Sequence, residues 1–553
     1  MRAILPSLVL ACSIACSAGG PTRVGTEPSW RRGDPTAPTT TSSLAPVTFA
    51  PTTEPAARYN EPVQPPPHSA LGDAVVSAVR DAAVAANLPA PTPDARLFRA
   101  CAELAEIVPE EGVVGYSVVE FALQRNGIIE PSPHLLVVWG KIDDPEVVVH
   151  ELAPKLGEIL GSGATARIGI GAAKRLADGT GAVVFALQGS AVTTAPIPRS
   201  LRAGGSAMLE AVVESRYREP EVFVTHDDGA TERVGIETGK NGAFRAPVQC
   251  AKHTGRQQIE ITASDAAGST VLANFPIWCG AEPPLSLTVE PTRDDMTVTD
   301  PKEAEGRLLA LVNRDRTAAG LPALLWDDRV AAVARGHSEE MRRTKIVAHI
   351  SPTTGSAADR VRVAGIKTAV VLENVARSYG IAEAHAGLMN SPGHRANVMS
   401  ATATHIGIGV VLGDEVSGRR EMFLTQVFIR ITPKVDPAQA AELVRTRITT
   451  ARPTVRNNTS LQAIAQTLVD GLAQGKSRDA LWPAARQQLD TLGASFGRVG
   501  SVITAVGELD AIDGKALVGD YKPDEIGVGI AQGTHPEIGD NAIWIVVLMG
   551  EKR

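Results

Sequence analysis

Three stretches of the chain place apolar or weakly polar side chains at steps of four, three and four residues. They are Leu97, Cys101, Leu104 and Val108; Val330, Ala334, His337 and Met341; and Leu461, Ala465, Leu468 and Leu472. That period puts each set on one face of a helix. Each helix is followed by a strand start in which glycine alternates with a branched aliphatic: Ile168-Gly169-Ile170-Gly171, Ile406-Gly407-Ile408-Gly409 and Ile526-Gly527-Val528-Gly529. The intervals are 71, 76 and 65 residues (168−97, 406−330 and 526−461). An apolar closing strand comes next in every case: AVVFALQG, EMFLTQVFIR and AIWIVVLMG. The first two stretches also share a lead-in, AANLPA and AAGLPA. The pattern predicts three diverged copies of one αβ unit, at 70–195, 300–432 and 436–553.

A different texture separates the first two copies. From 196 to 292 short alternating runs (MLEAVVES, EVFVTHD, RQQIEITASD, TVLANFPIW) are broken by DDG, KNG and AAG. Alternation with turns at this spacing predicts an antiparallel β-sandwich, Ig-like in build. The expected class is therefore α+β and multidomain, which suits a chain of 553 residues. Cys250 and Cys279 flank the β-rich stretch and could staple it, as in an oxidising compartment, although spacing alone leaves the pairing open. Cys101 lies on the apolar face of its helix and reads as a buried thiol.

The amino terminus adds an address. Met1 to Gly20 carries one basic residue ahead of an apolar run too short to span a bilayer, which reads as a secretory leader. Small residues precede Cys12 and Cys16, which resembles the lipobox of bacterial lipoproteins, with either cysteine as the lipidated residue. The expected layout is a signal peptide at 1–16 and a Pro/Thr-rich extended linker at 17–69. The expected location is the bacterial cell envelope, as an outer-membrane lipoprotein held to the membrane by its lipid anchor, or outside the cell. A net charge of −7 gives no basic face for nucleic acid.

Candidate chemistry is concentrated between Leu308 and Arg430. In order come Leu311–Arg316 with Gly320-Leu321-Pro322, then Ala334, His337, Ser338 and Met341, then His349-Ile350-Ser351-Pro352. Arg360 and Gly365 follow, then Glu373-Asn374-Val375-Ala376, Ser391-Pro392-Gly393-His394-Arg395 with Asn397, and finally Gln426 and Phe428. This series resembles the CAP superfamily, the cysteine-rich secretory, antigen 5 and pathogenesis-related-1 group, in its bacterial secreted branch. The resemblance implies an α-β-α sandwich at 300–432, flanked by two degenerate CAP-like domains. It also implies a cleft at His349, Glu373 and His394.

Two imidazoles and a carboxylate could hold Zn²⁺ with positions left open, or act as acid and base without metal. This chain departs from the family at three places. Leu372 stands where glycine is usual and Leu388 where tryptophan is usual. The second acid has no counterpart near Ser391, although Glu383 and His385 could substitute. His337 reads as a packing position, because the other copies place Leu104 and Leu468 there. The outer copies place Leu156 and Gly514 where the central one has His394, so they should lack the cleft.

The expected function is a non-enzymatic binding or surface-interaction protein. No cofactor is required, with Zn²⁺ as an option, and its partners would be lipid, cell-wall glycan or a surface protein. The alternatives are a metal-dependent hydrolase using the same cleft and an adhesin with a vestigial one.

Overall fold

The structure is a computed structural model. It describes residues 47–62, 64, 68–108, 114–161, 166–177, 179–250, 254–289, 298–416, 419–493 and 495–553, with the backbone of 13–16 and 22–24. Most of the leader and of the Pro/Thr-rich stretch lies outside the described residues. The backbone of 13–16 runs parallel to Val371–Ser378, with Ser13 opposite Glu373. The same backbone also runs parallel to Gly268–Cys279, with Ala15 opposite Thr270.

The central unit follows in order as α1 (Pro301–Ala318), β1 (Leu325–Trp326), α2 (Asp328–Thr344), α3 (Ala357–Val363), β2 (Val371–Ser378), α4 (Ile381–Asn390), α5 (Pro392–Val398), β3 (His405–Val416) and β4 (Arg419–Ile429). Its sheet runs β2-β4-β3-β1, with β1 parallel to β3 and the other pairs antiparallel.

The same order recurs on both sides. In the first unit it is His134–Lys141, Thr180–Gln188, Arg167–Lys174 and Thr92–Pro93; in the last it is Phe496–Val506, Gly539–Lys552, Glu525–His535 and Arg456–Asn457. The short strand hands over to the long helix alike in all three. Asp94, Asp327 and Asn458 cap the helices, and their own backbone N–H groups donate to the carbonyls of Ile168, Ile406 and Ile526 at 3.0, 3.0 and 2.8 Å.

Paired glycines are required where each helix lies on its strand. A Cβ at Gly169 would sit 2.6 Å from the Leu97 carbonyl carbon, at Gly407 2.1 Å from Ala331 N, and at Gly527 2.1 Å from the Leu461 carbonyl carbon. The second glycine of each pair, Gly171, Gly409 or Gly529, meets the next helical turn at 2.0, 2.1 and 2.5 Å. Helix backbone thus packs directly on strand backbone. Gly409→Ala should push α2 off the sheet and cost about 3 kcal/mol, read as a lowered calorimetric midpoint for the central unit.

Residues from Val192 to Cys279 fold as two facing antiparallel sheets. One holds Thr231–Val234, Arg218–Thr225, Gly255–Asp265 and Gly268–Cys279; the other holds Glu237–Thr238, Ala243–Gln249, Ser206–Val213 and Val192–Thr194. Leu209, Val222, Phe244, Ile259, Ile261 and Phe275 fill the space between them. Cys250 and Cys279 form a disulfide that ties the end of one sheet to the end of the other.

Two expected boundaries move. Val192–Thr194 pairs with Ser206–Val213, so the sandwich begins before residue 196. The linker does not extend to 69. Val47–Phe49 pairs with Leu287–Val289, Arg58–Tyr59 pairs with Ile197–Pro198, and Phe49 and Tyr59 are buried. The Tyr59 hydroxyl donates to the Pro276 carbonyl at 2.7 Å. A Pro/Thr-rich composition hides this, because single aromatic anchors suffice to dock an extended segment. Among the described residues no helix is long and apolar enough to cross a membrane.

Candidate functional site

Helix α2 presents Val330, Ala334 and Met341 to the interior, as its spacing predicts. His337, on the same face, is buried, and its Nε2 lies 2.8 Å from the Ala348 carbonyl. One turn on, the Glu340 carboxylate accepts from Ser351 Oγ at 2.6 Å and Thr354 Oγ1 at 3.1 Å. These two side chains hold the 348–354 loop and so place His349. His337 is a packing residue with a positioning contact.

Glu373 points from β2 to that loop. Its Oε2 lies 2.9 Å from His349 Nδ1, and its Oε1 accepts from Arg360 Nη2 at 2.5 Å. Arg360 sits on α3, which Ser356 and Asp359 start with a reciprocal capping box. The guanidinium also donates to the carbonyls of His349 and Gly355. Burial pushes the Glu373 carboxyl upward. The His349 hydrogen bond and the Arg360 charge, with His337 and His349 adding, outweigh burial and hold it at about 2. Glu373 is therefore a buried carboxylate that stays ionised. His349 Nε2 is buried with no hydrogen-bond partner among the described residues.

His394 lies in the first turn of α5, which packs against β2. Its Nδ1 lies 2.7 Å from Ser391 Oγ, and its carbonyl accepts from Asn374 at 3.2 Å. Asn374 also bonds Gln426 at 3.0 Å and Asn397 at 2.9 Å, and Asn397 donates to the Glu373 carbonyl at 3.0 Å. This amide chain ties β2, β4 and α5 together.

The carboxylate at Ser391 comes from outside the central unit. Glu260, on the sandwich strand Gly255–Asp265, accepts from Ser391 Oγ and, at 2.9 Å, from Gly393 N. Burial pushes its carboxyl up to about 7, against those two hydrogen bonds. Next to it, Asn390 donates to Glu120 of the first unit at 2.8 Å and accepts from Arg256 at 2.7 Å.

The proposed substitutes for the second acid lie elsewhere. His385 Nε2 is 2.7 Å from Asp315 on α1, and Glu383 accepts from the Tyr116 backbone N–H of the first unit at 3.3 Å. Both sit on the α4 side, facing other partners. Both Glu373 oxygens are engaged, and among the described residues no three His, Cys, Asp or Glu side chains are grouped to hold a metal ion. In the outer sheets the lattice point of Glu373 (opposite Val427, itself opposite Gly407) is taken by Leu135 and by Ser501. Leu156 is core, and Gly514 abuts the Arg447 carbonyl. Cys101 is a buried free thiol, which burial pushes up.

The sequence marks Arg360 only as one residue of the family series, and nothing in it points to Glu260 or Glu120. Glu260 sits in an alternating run whose polar side reads as solvent-facing; nothing local marks that side as covered.

Residues 309–428 match the family described as CAP: Cysteine-rich secretory protein family. Over 108 residues the chain is 37% identical to the Bacillus subtilis (strain 168) uncharacterized membrane protein YlbC and 35% identical to the uncharacterized protein YkwD of the same organism, in each case over 19% of this chain. The match spans 31% and 42% of those relatives, less than half of either. Among solved structures, an extracellular protein containing a SCP domain from Bacillus anthracis str. Ames is 19% identical. That alignment covers 40% of this chain and 82% of that one, with a TM-score of 0.21.

Proposed function

Because residues 309–428 belong to the cysteine-rich secretory protein (CAP) family, we propose that the protein is a bacterial envelope protein whose cleft binds a ligand and does not turn it over. The observation that carries this reading is the state of Glu373. Its two oxygens are spent on Arg360 and His349, and His349 Nε2 is left buried without a hydrogen-bond partner among the described residues, beside an ionised carboxylate. Such a site suits a hydroxyl group, which meets a ring nitrogen as donor or as acceptor. Hydroxyl-rich cell-wall glycan is the preferred ligand, with a lipid head group or a surface protein as the other candidates.

The remaining modules then serve placement. The shared strand order and helix-on-glycine contacts support reading the outer units as diverged CAP-like domains without a cleft. The two facing sheets support an Ig-like reading of the sandwich. The small residues ahead of Cys12 and Cys16 support a lipid anchor on one of them, joined to the body by a tether that ends before residue 47. The description of YlbC as a membrane protein fits an envelope location.

The test is co-sedimentation of the mature chain with purified cell-wall sacculi. Wild type should bind, and His349→Ala should weaken binding about tenfold, the value of one buried hydrogen bond. Equal binding by the variant would remove the cleft from the reading. Release of soluble glycan by wild type but not by His349→Ala would replace it with the hydrolase.

A further inference from the structure

We propose that the sandwich is an intramolecular cover of the CAP cleft, latched by Glu260 on the Ser391–Gly393 turn, and that the cleft becomes accessible only when this cover swings away. The proposal concerns access and needs no particular ligand.

Both loops that carry the cleft histidines are bonded to the sandwich. On one side His349 N and Ile350 N donate to the Ala267 carbonyl at 3.2 and 3.0 Å. Ala267 lies in the turn between the two longest sandwich strands, a turn tightened by Asp265 accepting from Ala267 N at 2.8 Å. That turn lies so close that a Cβ on Gly268 would be 3.1 Å from His349 Cβ. On the other side Glu260 holds Ser391 and Gly393, Arg256 and Asn274 hold Asn390, and Arg395 Nε reaches the Gly229 carbonyl at 3.0 Å. The contacts therefore run along the seam from the His349 loop to the start of α5.

The interface has the composition of a separable contact. Glu260, Gln258 and Thr262 lie on the face of their strand opposite the one that Ile259 and Ile261 bury in the sandwich core, and all three are buried. Among the described residues the sandwich core takes in Tyr59 and Ile129 but no residue of the central unit, and the central clusters take in no residue of the sandwich. Once residues 13–16, whose backbone pairs with both modules, are removed with the leader, two modules that share hydrogen bonds but no apolar core can part without exposing a core, and water replaces the lost bonds at small net cost. The Cys250–Cys279 disulfide ties the two sandwich sheets, so the cover moves as one body.

The experiment is histidine acylation by diethyl pyrocarbonate on the mature full-length chain, followed residue by residue with mass spectrometry. His349 and His394 should react slowly in wild type. In Glu260→Ala, which leaves Ser391 Oγ and Gly393 N without their acceptor, both should react about tenfold faster or more. Glu260→Gln keeps an acceptor for Gly393 and should stay protected. A cross-link between Ala267→Cys and Ile350→Cys, added to Glu260→Ala, should restore protection. Unchanged protection in Glu260→Ala would overturn the proposal, as would equal exposure in the Gln variant or failure of the cross-link to restore protection. Exposure in Glu260→Ala without any gain in sacculus binding would sink the glycan reading and leave the cover standing.

Discussion

Arg360→Met should lower the stability of the central unit by about 3–5 kcal/mol, the cost of breaking a buried ion pair from one side. Arg360 is 7% exposed and Glu373 1% exposed, so water cannot take over the guanidinium's role. The variant leaves an anion whose one remaining side-chain partner is His349, and it frees the His349 and Gly355 carbonyls as well. Arg360→Met combined with Glu373→Gln should recover much of the loss, because the uncompensated charge is gone. Calorimetry on the four proteins of this double-mutant cycle measures the coupling; additive losses would show that the two side chains act independently. The pH dependence carries the same signature. The Glu373 carboxyl is depressed from 4.5 to about 2, so its contribution is present above the ordinary carboxylate range and is lost as pH falls toward 2.

Docking of the modules should respond to pH in the opposite sense. Two carboxylates, Glu260 buried and Glu120 partly buried, grip residues 390–393 of the central unit, and desolvation pushes each from 4.5 up to about 7. Glu260 faces Ser391 and Gly393. Glu120 faces the Tyr116 hydroxyl, Asn390 and the Arg256 charge. A raised carboxyl favours the docked state when protonated. Docking is then strongest below pH 4.5 and weakens as pH rises through about 7. Amide exchange at 390–398, corrected for intrinsic rate, should be more than about tenfold slower at acidic than at mildly alkaline pH. Glu120→Gln with Glu260→Gln should flatten that dependence; a profile that keeps its slope in the double variant would assign it to other groups.

Much of the architecture is legible in the sequence. The helix faces at Leu97, Val330 and Leu461 and the glycine strands at Gly169, Gly407 and Gly527 are local records of helix backbone lying on strand backbone. Alternation with turn residues marked the two-sheet module, and its two cysteines proved to be paired. The His349–Glu373 contact followed from the family pattern. Composition misled at Phe49 and Tyr59, since a Pro/Thr-rich average conceals two buried aromatics. Proximity along one helix misled at Glu383 and His385, whose partners lie on α1 and in the first unit.

By itself, then, the sequence determined the elements, their order and the match of the central segment to the CAP family, because periodicity, caps, glycine pairs and short motifs act over a few residues. Only the tertiary structure decided what the candidate residues do. Whether Glu373 is a free ligand or a spent anion depends on Arg360 arriving from another element. Whether Ser391 has a carboxylate beside it depends on Glu260, which is distant in sequence and belongs to another module. A polar residue on one side of a strand carries the same local pattern whether water or a second domain lies over it, and its partner settles which of these it faces.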